Sequence, residues 1–492
     1  MKGLGYQAKP LPVPDRQSYQ TGREFCNPGQ CNPTYFTVGN LIRYLQELES
    51  TGMPRAQIIR SHVFFTAGAC GPCRFGMYES EYRAALRLAG FDGFRVLILQ
   101  QTGGLQQSGD EAGLSMDIDF TLGLIHAFNI GDVLNDLASQ LRPYEAKKGS
   151  TEIALHSSVE HMATVLERSY RSYRSIRVFR TIRRFLGHVF NNSIPRELGR
   201  CREYFGQVCL DPSLVKPVVK ITGEFWAQTT EGAGNFRMFE FLEEEGAQVV
   251  LEPIATWLLY MLHQAKQETR DRVFIKTGAK RSISSRAGTA VAEGIEYLFT
   301  MLKLTLAELL YTRDYNRLRK MLDCIPWPLP SQRLFKKLAE PFFNTRIEGG
   351  EGHLEIAKTL YYTQNRLCHM MLSLKPFGCL PSTQSDGVMS TVTAHHPGIL
   401  FLPIETAGDG GIHAYSRVQM TLAEAKKRAR MEYEQALSES LLSTEAMHEF
   451  LARHPEVRNP FHRFWKDGPA VPKAACLARC IARSGKGSRN RI

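Results

Sequence analysis

The chain has 492 residues, 43% of them hydrophobic, and a formal net charge of +12. The length exceeds one ordinary core and predicts two or three domains, and the apolar fraction is that of a globular protein. No run of about twenty apolar residues occurs, which argues against a membrane-spanning helix; the opening Met1-Lys2-Gly3-Leu4-Gly5-Tyr6 lacks the apolar core of a secretory signal, so a cytoplasmic location is expected.

Residues 1–20 are Pro-rich and read as an N-terminal arm. The apolar spacing of 34–48 predicts a helix. Val63-Phe64-Phe65-Thr66-Ala67 reads as a buried strand ending at a Cys-x-x-Cys loop, 75–88 as a helix stopped by Gly90, and Phe94-Arg95-Val96-Leu97-Ile98-Leu99 as the next strand. A strand–loop–helix–strand unit is the mark of a parallel sheet. Residues 115–210 read as mostly helical. The pattern restarts at Lys216, with a strand at 217–224, a helix at 234–245 stopped by Gly246, and a strand at 249–251. A helical stretch over 257–320, with a basic loop around Gly278, is broken by Ile325-Pro326-Trp327-Pro328-Leu329-Pro330. A strand at 399–404 and a terminal helix over 417–441 follow. The expected organisation is an arm (1–20), a first α/β domain with a helical insertion (21–214), a second of the same kind (215–450) and a basic C-terminal tail (451–492). In open α/β sheets ligands gather at the carboxyl ends of strands, so loops far apart in sequence are expected to meet in a cleft between the domains.

Much of the positive charge lies in two places. Arg168, Arg171, Arg174, Arg177, Arg180, Arg183 and Arg184 form one stripe, and the Gly- and Ser-rich segment 479–491 forms the other. No nucleic-acid motif accompanies them, so the stripe reads as a solvated helix face and the tail as disordered. A docking face for an acidic partner or an anionic coenzyme is the alternative.

Eleven cysteines in a cytoplasmic chain do not suggest a disulfide framework. Three stand in loops built from Gly and Pro: Asn27-Pro28-Gly29-Gln30-Cys31-Asn32-Pro33, Gly68-Ala69-Cys70-Gly71-Pro72-Cys73-Arg74-Phe75-Gly76 and Pro376-Phe377-Gly378-Cys379-Leu380-Pro381-Ser382-Thr383-Gln384. Gly and Pro force a tight backbone, and each loop hands over to a predicted helix, whose start favours an anionic ligand. The pattern points to a metal ion or an iron–sulfur cluster on Cys31, Cys73 and Cys379, with Arg74 softening its negative charge. Cys26 and Cys70 are alternatives to Cys31 and Cys73. Zinc is the competing metal, and a redox Cys70/Cys73 pair the competing chemistry. Cys201, Cys209, Cys324 and Cys368 read as packing residues, and Cys476 and Cys480 as an incidental helical pair. Glu405, His413 and Arg417 are candidates for substrate contact or proton transfer, with Glu405 and His413 assigned the catalytic role; a solvated loop and a helix cap are the competing reading. His395-His396-Pro397 reads as a surface turn, and Gly349-Gly350-Glu351-Gly352 as a weak phosphate-loop signal.

The residues around these loops carry a resemblance. Phe65-Thr66-Ala67-Gly68-Ala69-Cys70-Gly71-Pro72-Cys73-Arg74-Phe75-Gly76-Met77-Tyr78-Glu79, the segment around Cys379, Leu402-Pro403-Ile404-Glu405-Thr406 and His413-Ala414-Tyr415-Ser416-Arg417-Val418-Gln419 resemble the 2-hydroxyacyl-CoA dehydratase family. The nearest likeness is to the cluster-bearing region of activase-related, double-cubane-cluster proteins, over roughly residues 20–435. The resemblance implies two flavodoxin-like (Rossmann-like) parallel-sheet domains with helical insertions. It implies a [4Fe-4S] or double-cubane iron–sulfur cluster on Cys31, Cys73 and Cys379, and association as a homodimer or with a related cluster-bearing subunit. It also implies a separate ATPase activator that delivers a low-potential electron for acyl-CoA dehydration or a related difficult reduction. The chain shows no phosphate-binding, actin-like core of its own. A noncatalytic regulatory or scaffold subunit of such a system is one rival reading, and a zinc-stabilised nucleic-acid-binding protein the other.

Overall fold

Runs rich in Val, Ile, Leu and Phe form the strands, because β-branched and aromatic side chains suit a pleated, buried surface. The computed structural model describes residues 1–68, 73–100, 104–106, 118–173, 192–278, 287–347, 351–408, 410–466 and 472–486. Among these, β1 (Val63–Ala67), β2 (Arg95–Gln100) and β3 (Gly104–Gln106) make one sheet, with β1 parallel to β2 and β3 antiparallel at its edge. The second sheet contains β4 (Val218–Gly223), β5 (Gln248–Val250), β6 (Met370–Pro376) and β7 (Phe401–Thr406) in the order β5-β4-β6-β7, every neighbour parallel. The protein is therefore an α/β chain of two sheets with parallel cores, separated and flanked by helical insertions. No helix among the described residues is long and apolar enough to cross a membrane.

Every residue of β4 and β6 is buried, as in parallel sheets covered on both faces. Two of those residues are lysines. Lys220 Nζ lies 2.7 Å from Glu252, and Lys375 Nζ lies 3.1 Å from Glu355 and also bonds Asp386. Each buried ammonium is thus matched by a carboxylate, which offsets the large cost of desolvating either charge alone.

The helical insertions of the two sheet units do not form separate bodies. Side chains from the Ile118–Leu141, Ser150–Tyr173 and Ser193–Phe205 helices share one apolar cluster with Leu259, Tyr311, Tyr315, Trp465 and Leu477. Polar contacts lock the same junction. Asp132 accepts hydrogen bonds from the backbone N–H groups of Ile254 (3.0 Å) and Ala255 (2.8 Å) at the start of the Ile254–Gly278 helix, and Tyr144 donates to Gln248 on β5 (3.0 Å).

Several sequence expectations need correction. Residues 1–20 are not a free arm: Gly3 is buried against Glu167 and Tyr170, and Arg16–Phe25 is a helix capped by Asp15. The helix expected over 234–245 is split, because Phe236 and Arg237 take left-handed φ values of 60° and 49°. A short turn, Ala233–Asn235, precedes the break and Met238–Glu244 follows it, its first N–H groups met by the Glu231 carboxylate. The last β strand begins two residues late, since pairing with β6 starts at Phe401 opposite Met371. The helix expected over 417–441 runs as Gly411–Ser440 and is not terminal. The C-terminal segment is structured: Thr444–Arg453 and Lys473–Lys486 are helices, the latter containing Arg479 and Arg483. Leu451, Trp465, Ala474 and Leu477 are buried there because an apolar face recurs among the basic residues. Cys209 and Cys324 are exposed rather than packed; Cys324 stands in a turn at φ 62°. Cys70, the stripe arginines from Arg174 to Arg184, Gly349, Gly350, the basic loop at 279–286 and residues 487–492 lie outside the described residues.

If the C-terminal helix is docked as described, Leu477→Ala should destabilise the protein by about 2–5 kcal/mol, measured by denaturant unfolding. A change within about 0.5 kcal/mol, the range of ordinary surface substitutions, would contradict that packing.

Candidate functional site

Cys31, Cys73 and Cys379 all occupy N-cap positions. Cys31 precedes the Asn32–Ser50 helix, Cys73 the Arg74–Met77 turn that runs into Tyr78–Leu88, and Cys379 the Leu380–His395 helix. Pro33 and Pro381 stand in the first turns, where a missing N–H costs nothing and the fixed φ starts the helix. Unpaired N–H groups and the positive end of the helix dipole gather at such positions, so each sulfur sits where negative charge is favoured.

The loops are joined to one another. Asn32 N–H donates to the Phe377 carbonyl (3.2 Å), linking the first and third loops. Gly378 has φ 78°, and a Cβ there would stand 3.5 Å from the Gln30 carbonyl and 3.6 Å from Cys31 Cα. Only glycine takes that conformation without strain. Arg74 donates to the Gly29 carbonyl, linking the second loop to the first. Behind the first loop, Glu81 accepts from Asn27 Nδ2 and Gln30 Nε2, both at 3.0 Å. Tyr78 Oη lies 2.9 Å from Cys31 Sγ and Thr34 Oγ1 3.4 Å from it.

Burial pushes all three thiols above the ordinary thiol range: Cys73 to about 11 and Cys379 to about 12. Cys31 is also raised by burial, against the opposing pull of Thr34 and Tyr78. The Glu224 carboxylate adds to the rise at each of them, Cys31 adds to that of Cys73, and Cys73 to that of Cys379. Glu224 therefore lies within charge reach of all three sulfurs, and Cys73 within reach of both Cys31 and Cys379. Cys26 stands apart: burial and then Glu81, not Glu224, raise it to about 12.

Glu224 is placed by the sheet. It follows β4 directly, and its N–H donates to the Leu374 carbonyl of β6 (2.9 Å). The preceding Gly223 has φ 108°, with Leu374 so close that an added Cβ would sit 2.2 Å from its carbonyl oxygen. The Glu224 side chain accepts from Ala227 N–H (3.0 Å), while burial pushes its pKa up to about 7 against the pull of the Trp226 and Ala227 N–H groups. Neither Glu224 nor Tyr78 was singled out from the sequence. The available signal was position: a carboxylate just past a glycine, at the carboxyl end of a buried strand.

The remaining candidates are dispersed. Glu405 is exposed near the carboxyl end of β7, in register with Lys375, and His413 is exposed in the first turn of Gly411–Ser440. Both lie at the sheet end that carries Cys379. Arg417 donates to the Pro403 carbonyl (3.0 Å). The rings of His395 and His396 both lie edge-on to Phe342, and Glu351 is buried in an ion pair with Lys358 (2.9 Å). Among the described residues, no group of three or more His, Cys, Asp and Glu is arranged to hold one metal ion. Comparison with protein-family models, with curated proteins and with solved structures finds no match.

Because burial holds the loop thiols protonated, iodoacetamide at pH 8 should modify exposed Cys209 and Cys324 before Cys31, Cys73 and Cys379 in metal-free protein. The rate at Cys73 should climb as pH rises through 9–11, toward its value of about 11. Peptide mass spectrometry reads both; prompt labelling of Cys73 and Cys379 at pH 8 would contradict the burial.

Proposed function

We propose that the chain is a cytoplasmic iron–sulfur subunit of the 2-hydroxyacyl-CoA dehydratase type, holding a [4Fe-4S] or double-cubane cluster through Cys31, Cys73 and Cys379. The observation that carries this reading is that three N-cap thiols stand on loops far apart in the chain that are hydrogen-bonded to one another through Asn32 to Phe377 and Arg74 to Gly29. A single zinc ion would need its sulfurs within about 4 Å of one another, whereas a cluster takes one thiolate on each iron and spaces them farther apart. The residues fit such a group: bare thiolates are opposed here by burial and by Glu224, and positively charged iron reverses that opposition.

A bound cluster supplies one-electron chemistry at low potential. This chain's residues do the rest. Tyr78 and Thr34 offer hydroxyl hydrogens to the Cys31 thiolate, and Arg74 holds the Cys73 loop on the Cys31 loop. Glu224, whose carboxyl is pushed up to about 7, is the proposed proton carrier beside the thiols. Glu405 and His413 serve at the exposed rim. An acyl-CoA is the proposed substrate, and a separate ATP-hydrolysing activator the proposed electron source. The exposed Ile295, Leu302 and Leu309 recur every seven residues on the Ala287–Met321 helix, beside exposed Leu298, Phe299 and Leu306. That is the spacing of a helix–helix seam and supports association with a second copy or a related subunit.

Anaerobically purified protein should carry iron with acid-labile sulfide and give a paramagnetic signal on reduction. Cys31→Ser, Cys73→Ser and Cys379→Ser should each lose most of the iron, and Cys324→Ser should keep it. Zinc at one per chain without sulfide would overturn the reading. With the activator, reduction should require ATP; substantial ATP hydrolysis by this chain alone would count against it.

A further inference from the structure

On the far side of Trp257 from the start of its helix, the Ile254–Gly278 segment turns a second face toward a cavity of ≈ 290 Å³ lined by His263, Lys266, Arg270, Glu308, Arg333 and Lys336. His263, Lys266 and Arg270 share one face of that helix by their spacing, and Arg333 and Lys336 come from the facing Gln332–Ala339 helix. Four cationic side chains thus surround one carboxylate. Glu308 is taken by Lys266, which is itself 5% exposed. Asp271, on the same helix, is taken by Arg346 (2.8 Å). Lys336 donates only to the neutral Gln267 amide (3.2 Å) among its described partners.

Two further features point the same way. Arg333 stands in the first turn of its helix, the end where the dipole disfavours a cation. His263 Nε2 is buried with no hydrogen-bond partner, as are both ring nitrogens of His353, which burial, His263 and Lys336 hold neutral. Like charges crowded beside unpartnered nitrogens cost stability unless an anion joins them. The volume suits a small ligand, and the lining is too polar for an apolar one.

We propose that this cavity binds a phosphate-class oxyanion, either free or as the phosphoryl end of a small organic molecule, between Arg270, Arg333, Lys336 and Lys266, with His263 as a further hydrogen-bonding partner. The site draws on none of the cysteines and stands or falls independently of the iron–sulfur reading.

The test is isothermal titration of the full chain with inorganic phosphate, pyrophosphate and a nucleoside diphosphate, against sodium chloride at matched ionic strength. Saturable binding is expected, weakened about tenfold or more by Arg270→Gln and by Arg333→Gln, each of which removes charge-assisted hydrogen bonds. The exposed Arg430→Gln should leave it unchanged. Tighter binding of pyrophosphate assigns a free anion, and tighter binding of the nucleotide assigns an organic phosphoryl group; both support the site. In the unaltered protein, the His263 ring signals in nuclear magnetic resonance should shift on titration, a readout that needs no variant. Heats no larger than those of chloride, or full affinity in folded Arg270→Gln and Arg333→Gln proteins, would overturn the proposal.

Discussion

The hydrogen bond from Asn32 N–H to the Phe377 carbonyl is the contact on which the thiol site depends. It closes two loops far apart in the chain onto each other. One such bond contributes about 1 kcal/mol net, too little to order two loops whose every residue costs a similar amount to fix. The loops must therefore be rigid before they meet. Glu81 and Tyr35 fix the first from below, the latter through Gln30 N–H and the Asn27 carbonyl. On the other side, Phe377 N–H donates to Thr406 at the end of β7, so the Cys379 loop is an extension of the sheet. Phe36 of the Asn32–Ser50 helix meets Trp226, just past Glu224, with ring centroids 5.5 Å apart, and that contact brings the two halves into register.

Charge is handled differently inside this sheet and around the thiol loops that follow it. Along β4 and β6, buried Lys220 and Lys375 have carboxylate partners, and the interior closes as a set of matched pairs. Around the thiols, among the described residues, no salt bridge is made to Glu224; helix starts, hydroxyl groups and the Arg74 guanidinium on the Gly29 carbonyl are what the chain supplies. A matched pair stabilises the fold without inviting a ligand, whereas a set of donors held beside an unmatched carboxylate becomes stable only when something positive enters. This difference separates the thiol loops, where a buried charge is left unmatched, from the lysine pairs, where it is matched.

Much of the fold was legible in the sequence because its strands are apolar runs ended by Gly or Cys. β1 was read to the residue, and β2 and β4 to within one or two. A strand ahead of the Cys379 loop was expected but β6 was given no bounds, since Ser373 and Lys375 interrupt its pattern; Glu355, joined at Lys375 by Asp386, makes them compatible with a buried strand. The C-terminal helix was hidden by composition. Its Arg, Lys and Gly suggested a solvated tail, while Ala474, Ala475, Leu477 and Ala478 supplied a small buried face. At the site, the Gly and Pro framing revealed three cysteine loops directly, because tight loops before helices need those residues. Glu224 was not legible as a partner of the thiols, since its position comes from the parallel pairing of β4 with β6 rather than from any local motif.

The shared apolar cluster also governs how the chain reaches its native state. Ile130 and Leu198 pack in the same core as Tyr315 and Leu477, so contacts of very long sequence separation close it. Such topologies fold slowly, because loop entropy is lost before the contacts that reward it form. During synthesis the Ile118–Leu141 helix has no complete surface to bury against until the Lys473–Lys486 helix has been made. Its apolar face must wait through nearly the whole of translation, the interval in which association with other unfinished chains competes with folding.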